Sequence, residues 1–311
     1  MVNILKKVLN RYQLRVIRKT RSQTEALDVN GQRFDGTFPL RNKGMLNSIL
    51  RDSNIPCCND VAWLSNESAL ILETQKKVTL EHFLQDLEGR RLFFKPNYGS
   101  GGDRAFLVEF LEDDVKVDGF RSSYSDLRNR LPSIHEYINS NFFIAQSVIE
   151  QHDAVDNIND SSVNTLRILT LYSGDEVLPF RAVWRIGVSG SIIDNWSSGG
   201  LLIGVDIETG ATKGKAWQKK PRKSFTHHPD SGERISGFEI PFFDDAFDIV
   251  KRAHRRLPFV RTLGWDVAIT PDGPMIVEVN DKWSVALFSV VDEAFQRGFV
   301  KAVKERKLLA G

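Results

Sequence analysis

The sequence predicts an α+β fold, α/β in the broad sense that helices and strands alternate, with mostly antiparallel sheets. Three observations carry this. Many strand connections are too short to hold a crossover helix. A glycine-rich loop at residues 95–104 leads from one strand into another strand. Gly264-Trp265-Asp266-Val267-Ala268-Ile269 and Ile276-Val277-Glu278-Val279-Asn280 are apolar runs joined by the turn residues Thr270-Pro271-Asp272-Gly273-Pro274.

The elements follow in order. Residues 1–40 are basic and then polar, with Gly31, Gly36 and Pro39 marking turns. Among them Lys6, Lys7, Arg11, Arg15, Arg18, Lys19 and Arg21 alternate with apolar side chains. Such a helix can lie on an anionic membrane surface; a solvated helix packed on its own domain is the favoured reading. A helix is expected from Asn42 to Asp52, ending before Ile55-Pro56, and a second over residues 79–88 with Thr79 as N-cap. Strand Leu92-Phe93-Phe94 enters the glycine loop, and Phe106-Leu107-Val108 returns from it. Residues 124–140 read as a helix, 142–146 as a buried strand, and 151–162 as a polar loop. Strands are expected at 165–172, 177–186, 191–194 and 201–206. Helices are expected at 244–256 and, after the hairpin, at 285–306.

Composition narrows the function. The 311 residues suffice for a large core, and 41% hydrophobic with 26% charged content is ordinary for a soluble protein. Lys+Arg 42 against Asp+Glu 40 leaves a net charge of +2, so no electrostatic signal for nucleic acid exists. No apolar stretch has the length of a transmembrane helix, and the N-terminal run is too short and too charged for a signal peptide. Cys57 and Cys58 are adjacent, suit a reducing cytoplasm, and cannot build a zinc site.

In the hairpin, side chains alternate across the strand, so Glu278 and Asn280 face one way. With Asp266 they bring three oxygen donors together, which suits Mg²⁺ beside nucleotide phosphates. Alone, the pattern also describes a half-polar edge strand. In Lys95-Pro96-Asn97-Tyr98-Gly99-Ser100-Gly101-Gly102 the glycines let backbone N–H groups approach an anion, and Lys95 adds a point charge. A hairpin tip also uses glycines; the lysine on the preceding strand favours a polyphosphate. It is neither a Walker A loop nor a Rossmann fingerprint.

The order of motifs, with Gln146-Ser147-Val148-Ile149 ending a strand between the glycine loop and the acidic hairpin, resembles the ATP-grasp superfamily over roughly residues 40 to 285. The resemblance implies an ATP-grasp fold: two α+β subdomains gripping ATP, preceded by an N-terminal helical or irregular extension. Residues 1–80 would be that extension and the pre-ATP-grasp region. Residues 81–150 would carry the phosphate loop, and 151–311 the metal site.

The resemblance implies roles residue by residue. Lys95 matches the lysine on the α/β-phosphates, and Gly99, Ser100, Gly101 and Gly102 the loop that closes over them. Lys43, in Arg41-Asn42-Lys43-Gly44-Met45-Leu46, resembles an earlier nucleotide-facing lysine. Gln146, Ser147, Val148 and Ile149 resemble the hinge that reads adenine; the superfamily often has Glu where this chain has Gln146. Asp266, Glu278 and Asn280 match the metal ligands; two Mg²⁺ ions bridged by Glu278 would fit, with Asp266 and Asn280 each completing one.

Arg167, Arg181 and Arg185 on strands, and Asp194-Asn195-Trp196-Ser197-Ser198-Gly199-Gly200, are similar to the glutamate-ligase-like branch, where such groups meet an acyl phosphate. Each arginine also reads as a surface strand residue paired with an acid. The whole region looks closest to the sugar-transfer-associated group, whose members are expected in polysaccharide or natural-product gene clusters. Asp281-Lys282-Trp283 follows the asparagine where relatives often carry proline, which bears on the substrate side of the metal.

The implied chemistry is ligation of a small-molecule carboxylate to a nucleophilic acceptor, with ATP and Mg²⁺ as cofactors. A sugar or small-molecule kinase and a non-catalytic nucleotide-binding module are the alternatives. His227-His228 lacks a third metal ligand at a recognisable spacing; a surface loop is the favoured reading, a loop that contacts the acceptor substrate the alternative.

Overall fold

The structure, a computed structural model, describes residues 2–22, 27–29, 32–34, 37–99, 104–132, 142–173, 176–188, 190–192 and 194–306. It is α+β, and every strand pairing among these residues is antiparallel. The chain divides into two compact units: residues 41–150, and residues 1–40 together with 151–311. A hairpin of β1 (Leu27–Val29) and β2 (Gln32–Phe34) lies near the N-terminus.

The unit of residues 41–150 is built on an eight-stranded sheet. Its strands are β3 (Asp60–Leu64), β4 (Ser68–Ile71), β5 (Lys76–Thr79), β6 (Arg91–Pro96), β7 (Phe106–Phe110), β8 (Val115–Val117), β9 (Phe120–Ser122) and β10 (Phe143–Ser147). Their spatial order is β5-β4-β3-β10-β6-β7-β8-β9. Ala62, Leu64, Leu92, Phe94, Val108, Phe143 and Ala145 alternate onto one face and form its core with Leu80, Phe83 and Leu84. Helix Lys43–Asp52 starts where Asn42 accepts the Met45 N–H at 2.9 Å. Helix Leu80–Gln85 is capped by Thr79, as expected. The helix expected over 124–140 runs from Tyr124 to Arg130; Leu131, before Pro132, is extended, and residues 133–141 lie outside the described part.

The other unit carries a seven-stranded sheet, in the order β15-β14-β13-β12-β11-β16-β17. These are β11 (Thr165–Tyr172), β12 (Val177–Ile186), β13 (Leu201–Val205), β14 (Thr212–Gln218), β15 (Lys223–Phe225), β16 (Thr262–Thr270) and β17 (Gly273–Asn280). The strand expected at 191–194 is absent among its described residues; Asn195 instead caps the short 3₁₀ turn Trp196–Ser198. The single helix expected over 285–306 is two, Val285–Val291 and Phe295–Glu305. Asp292 breaks it: its backbone is extended, and its Oδ1 accepts the Ala294 N–H at 2.9 Å.

These two helices and the N-terminal helix Val2–Ser22 cover one end of one sheet face. Val16 and Ile17 join Leu169, Leu171, Val183, Leu202, Phe288, Phe295 and Phe299 in a core around the fully buried Trp283. Arg11, Arg15, Arg18 and Lys19 are on its exposed side. The basic helix is thus packed on its own unit. Lys6, Lys7 and Arg21 fall where side chains are not described. No helix among the described residues is long and apolar enough to cross a membrane.

Candidate functional site

Two sets of mostly buried polar residues stand on the sheets outside the apolar cores, one in each unit. In the unit of residues 41–150, Lys95 on β6 faces Ile144 on β10, and Phe93 faces Gln146. Phe94 and Ala145 between them are in the core, so Phe93, Lys95, Ile144 and Gln146 share the opposite face. On the other side of β10, a β-bulge between Ala145 and Gln146 sets Gln146 opposite Asp60.

Asp60 organises this face. Its Oδ1 accepts Nδ2 of Asn47 at 2.8 Å and Nε2 of Gln146 at 2.6 Å. Its Oδ2 is buried without a hydrogen bond and lies 3.6 Å from the Arg51 guanidinium. Burial pushes this carboxyl above its ordinary range, against the opposing pull of Gln146, Lys95, Asn47 and Arg51. Burial also pushes the Cys57 thiol up to about 12, so it is no thiolate nucleophile.

Lys43 is tied to the start of the glycine loop. Its Nζ donates to the carbonyls of Gly99 at 2.8 Å and Asn97 at 3.4 Å. Asn97, fully buried, accepts the Gly44 N–H on Oδ1 at 3.0 Å. Gly44 must be glycine here: a Cβ would meet Trp63 at 2.8 Å. Gly99 takes φ +137, which L side chains rarely adopt. Ser100, Gly101 and Gly102 lie outside the described residues. Ser147 is fixed to Asn59 through its N–H at 3.0 Å and its Oγ at 3.2 Å; Val148 and Ile149 follow, half-buried.

In the other unit the registers are direct: Thr165 opposes Arg185, Arg167 opposes Asp266, and Asp266 opposes Glu278. Gly264 opposes Asn280. All these side chains therefore share one sheet face. Asp266, 2% exposed, has both oxygens taken. Arg167 Nε holds Oδ1, and Arg167 Nη2 reaches Oδ2 at 2.8 Å. Arg185 Nη2 is 3.0 Å from Oδ2. Burial pushes the Asp266 carboxyl up, yet Arg167 and Arg185 outweigh it and hold it below the usual carboxylate range.

Arg185 also bonds Thr165 Oγ1 at 2.7 Å and lies 3.3 Å from Asp194. Thr165 donates its N–H and hydroxyl to Asp194 Oδ2, at 3.0 and 2.5 Å. Burial raises the Asp194 carboxyl, only partly offset by Arg185 and Thr165.

Arg181 is not brought to this cluster. It pairs with Asp292 at 3.0 Å, stacks over Phe180 at 4.5 Å, and lines a cleft of ≈ 410 Å³ with Lys213, Phe288 and Val291.

For a hard divalent cation, the donor chemistry of Glu278 and Asn280 fits. Glu278 is half-buried and has no hydrogen bond or ion pair among the described residues. Asn280 has Nδ2 buried without a partner, so its carbonyl oxygen is the end turned outward. Asp266 shares their face, but its oxygens are committed to guanidinium groups. Trp283, expected to bear on the substrate side, is core instead: its Nε1 donates to Thr262 Oγ1 at 3.1 Å. His228 is buried and donates Nε2–H to the Gly187 carbonyl at 2.8 Å, which corrects the surface reading for that residue; His227 is exposed.

Asp60 and Asp194 were not singled out as site residues by sequence. Asp194 stands at the head of the Asn-Trp-Ser-Ser-Gly-Gly segment, which is the one signal that points to it.

Three solved structures are similar. The L-amino acid ligase from Bacillus licheniformis has TM-score 0.44 and 14% identity, covering 86% of this chain and 46% of that one. N5-carboxyaminoimidazole synthase from Aspergillus clavatus, in complex with ADP and 5-aminoimidazole ribonucleotide, has TM-score 0.44 and 11% identity, covering 81% of this chain and 47% of that one. The ATP-grasp ligase PsnB, complexed with a precursor peptide and AMPPNP, has TM-score 0.44 and 13% identity, covering 87% and 60%. The chain thus spans about half of the length of these proteins. A search of the curated proteins returns no match. Residues 36–305 match the family model for sugar-transfer associated ATP-grasp proteins, and the chain belongs to that family.

Proposed function

We propose that this chain is an ATP- and Mg²⁺-dependent ligase that joins a small-molecule carboxylate to an amine or thiol through an acyl phosphate. The observation that carries this is the unpaired Glu278 carboxylate and outward Asn280 oxygen on the same sheet face as Arg167 and Arg185. A carboxylate resists attack because its charge repels nucleophiles and its oxygen leaves poorly. Transfer of the γ-phosphoryl group of ATP to a carboxylate oxygen gives ADP and an acyl phosphate. The acceptor then displaces inorganic phosphate and loses a proton.

Both steps build negative charge on oxygens, which pre-placed cations stabilise. Lys95 takes the α/β-phosphates, and the backbone of Gly99 to Gly102 covers them. Residues 146–149 meet the base. Lys43 holds the start of the loop in place. Arg185 and Arg167 face the transferring phosphoryl and acyl phosphate oxygens. Glu278 and Asn280 would hold Mg²⁺, with Glu278 the bridge if two ions bind, and Asp266 would join them where its arginines release it. The ion would supply charge neutralisation of the phosphates. Arg181, anchored to Asp292, is left out of the catalytic set. The family and the use of ATP support a cytoplasmic enzyme of polysaccharide or natural-product biosynthesis.

The test is hydroxylamine trapping with the purified chain, ATP, Mg²⁺ and a panel of carboxylates. A hydroxamate formed with ADP release is expected, and Lys95→Ala should weaken ATP binding on the order of tenfold or more. A stable phosphorylated acceptor with no hydroxamate would establish a kinase instead.

A further inference from the structure

We infer that Asp60 is a positioning residue that fixes the side-chain amide of Gln146 and thereby selects adenine over 6-oxopurine nucleotides; this rests on the proposal that residues 146–149 meet the base. A carboxylate oxygen only accepts, so the group of Gln146 at 2.6 Å from Asp60 Oδ1 must be the NH₂. Turning the amide over would press two acceptor oxygens together. Asp60 cannot easily yield. Its side chain is fully buried, the same oxygen is held by Asn47 at 2.8 Å, and Arg51 flanks the other.

The consequence falls on Oε1 of Gln146. It accepts no hydrogen bond from the described residues, and it is not among the fully buried atoms left without a partner, so in a residue only 3% exposed it is the oxygen that keeps contact with solvent. It opens on the face shared with Lys95, Phe93 and Ile144. Lys95 opposes Ile144, two positions along β10 from Gln146, a separation of roughly 7 Å. A phosphate on Lys95 and a base edge at Gln146 are then within the span of one nucleotide, with the partly exposed Phe93 as an apolar flank. A fixed acceptor pairs with the amino group at C6 of adenine. Against hypoxanthine it meets an oxygen, a second acceptor, and the bond becomes a repulsion.

The test uses the full chain with Mg²⁺ and compares calorimetric affinities for ATP and ITP, which carries an oxo group at C6. Wild type is expected to prefer ATP on the order of tenfold or more, one hydrogen bond's worth. Asp60→Ala should bring the ATP/ITP ratio towards one, as should Gln146→Leu, and the double variant should fall no further. Asp60→Asn should keep the ratio, because its carbonyl oxygen accepts the same two amides. Should Asp60→Ala not fold, Asp60→Ser also frees the Gln146 amide to turn and is expected to lower the ratio. A folded Asp60→Ala or Asp60→Ser protein that binds ATP with the wild-type ratio would overturn the inference while leaving the ATP site standing. Wild type binding neither nucleotide would overturn the ATP site itself, and the inference with it.

Discussion

Arg167 and Asp266, 99 positions apart in sequence, oppose each other on neighbouring strands and form a two-point ion pair almost out of water. Arg185 closes on the same carboxylate from the other side and links it through Thr165 to Asp194. Two guanidinium groups are thereby held in fixed positions beside Glu278 and Asn280.

Removing Arg167 takes the two-point partner from a buried carboxylate and leaves it one contact, with Arg185. Arg167→Met is predicted to cost about 3–5 kcal/mol of stability, read by urea unfolding. The double variant Arg167→Met with Asp266→Leu should regain much of that loss, because a buried pair replaced by apolar groups is often neutral. A double variant as unstable as the single one would show that Arg185 depends on Asp266 and is not held by Asp194 and Thr165 alone.

His254 gives a pH dependence of known sign. It donates Nε2–H to the Val260 carbonyl at 2.8 Å and accepts the Thr170 hydroxyl on Nδ1 at 2.7 Å. Burial pushes its pKa down from 6.5 to about 4. The folded value lies below the unfolded one, so the neutral ring stabilises the fold. That contribution is complete above pH 6.5 and is lost as the pH falls towards 4. The stability gap between wild type and His254→Asn should narrow by roughly 3 kcal/mol between pH 7 and pH 4. A gap that stays constant would contradict the buried, neutral ring.

Gly264 is pressed between two side chains. A Cβ there would lie 2.7 Å from Trp283 Cβ and 3.2 Å from Arg167 Cδ. Gly264→Ala is therefore predicted to destabilise by about 1–3 kcal/mol and to displace Arg167 from Asp266. An unchanged unfolding midpoint would refute the close approach.

What could be read from sequence follows from period and distance. The two-residue period of a strand places Glu278 and Asn280 on one face, and β16 with β17 is a local hairpin, so Asp266 joins them without further information. That Arg167 and Arg185 pair with Asp266 depends on the register of β11 with β16 across almost a hundred residues, which no local pattern encodes. The same distance hides Asp60 from Gln146, 86 positions on. Strands β8 and β9, three residues each, are too short for alternation to show. Trp283 follows the site in sequence but turns inward, because Gly264 leaves room beneath it.

The central claim, that Glu278 anchors Mg²⁺ at an ATP site, is tested most directly by calorimetric ATP affinity with and without Mg²⁺ in wild type and Glu278→Ala. Mg²⁺ should tighten ATP binding on the order of tenfold in wild type and leave the variant almost unaffected, with both proteins equally folded, since Glu278 makes no hydrogen bond or ion pair among the described residues. A Glu278→Ala protein with the full wild-type response to Mg²⁺ would contradict it.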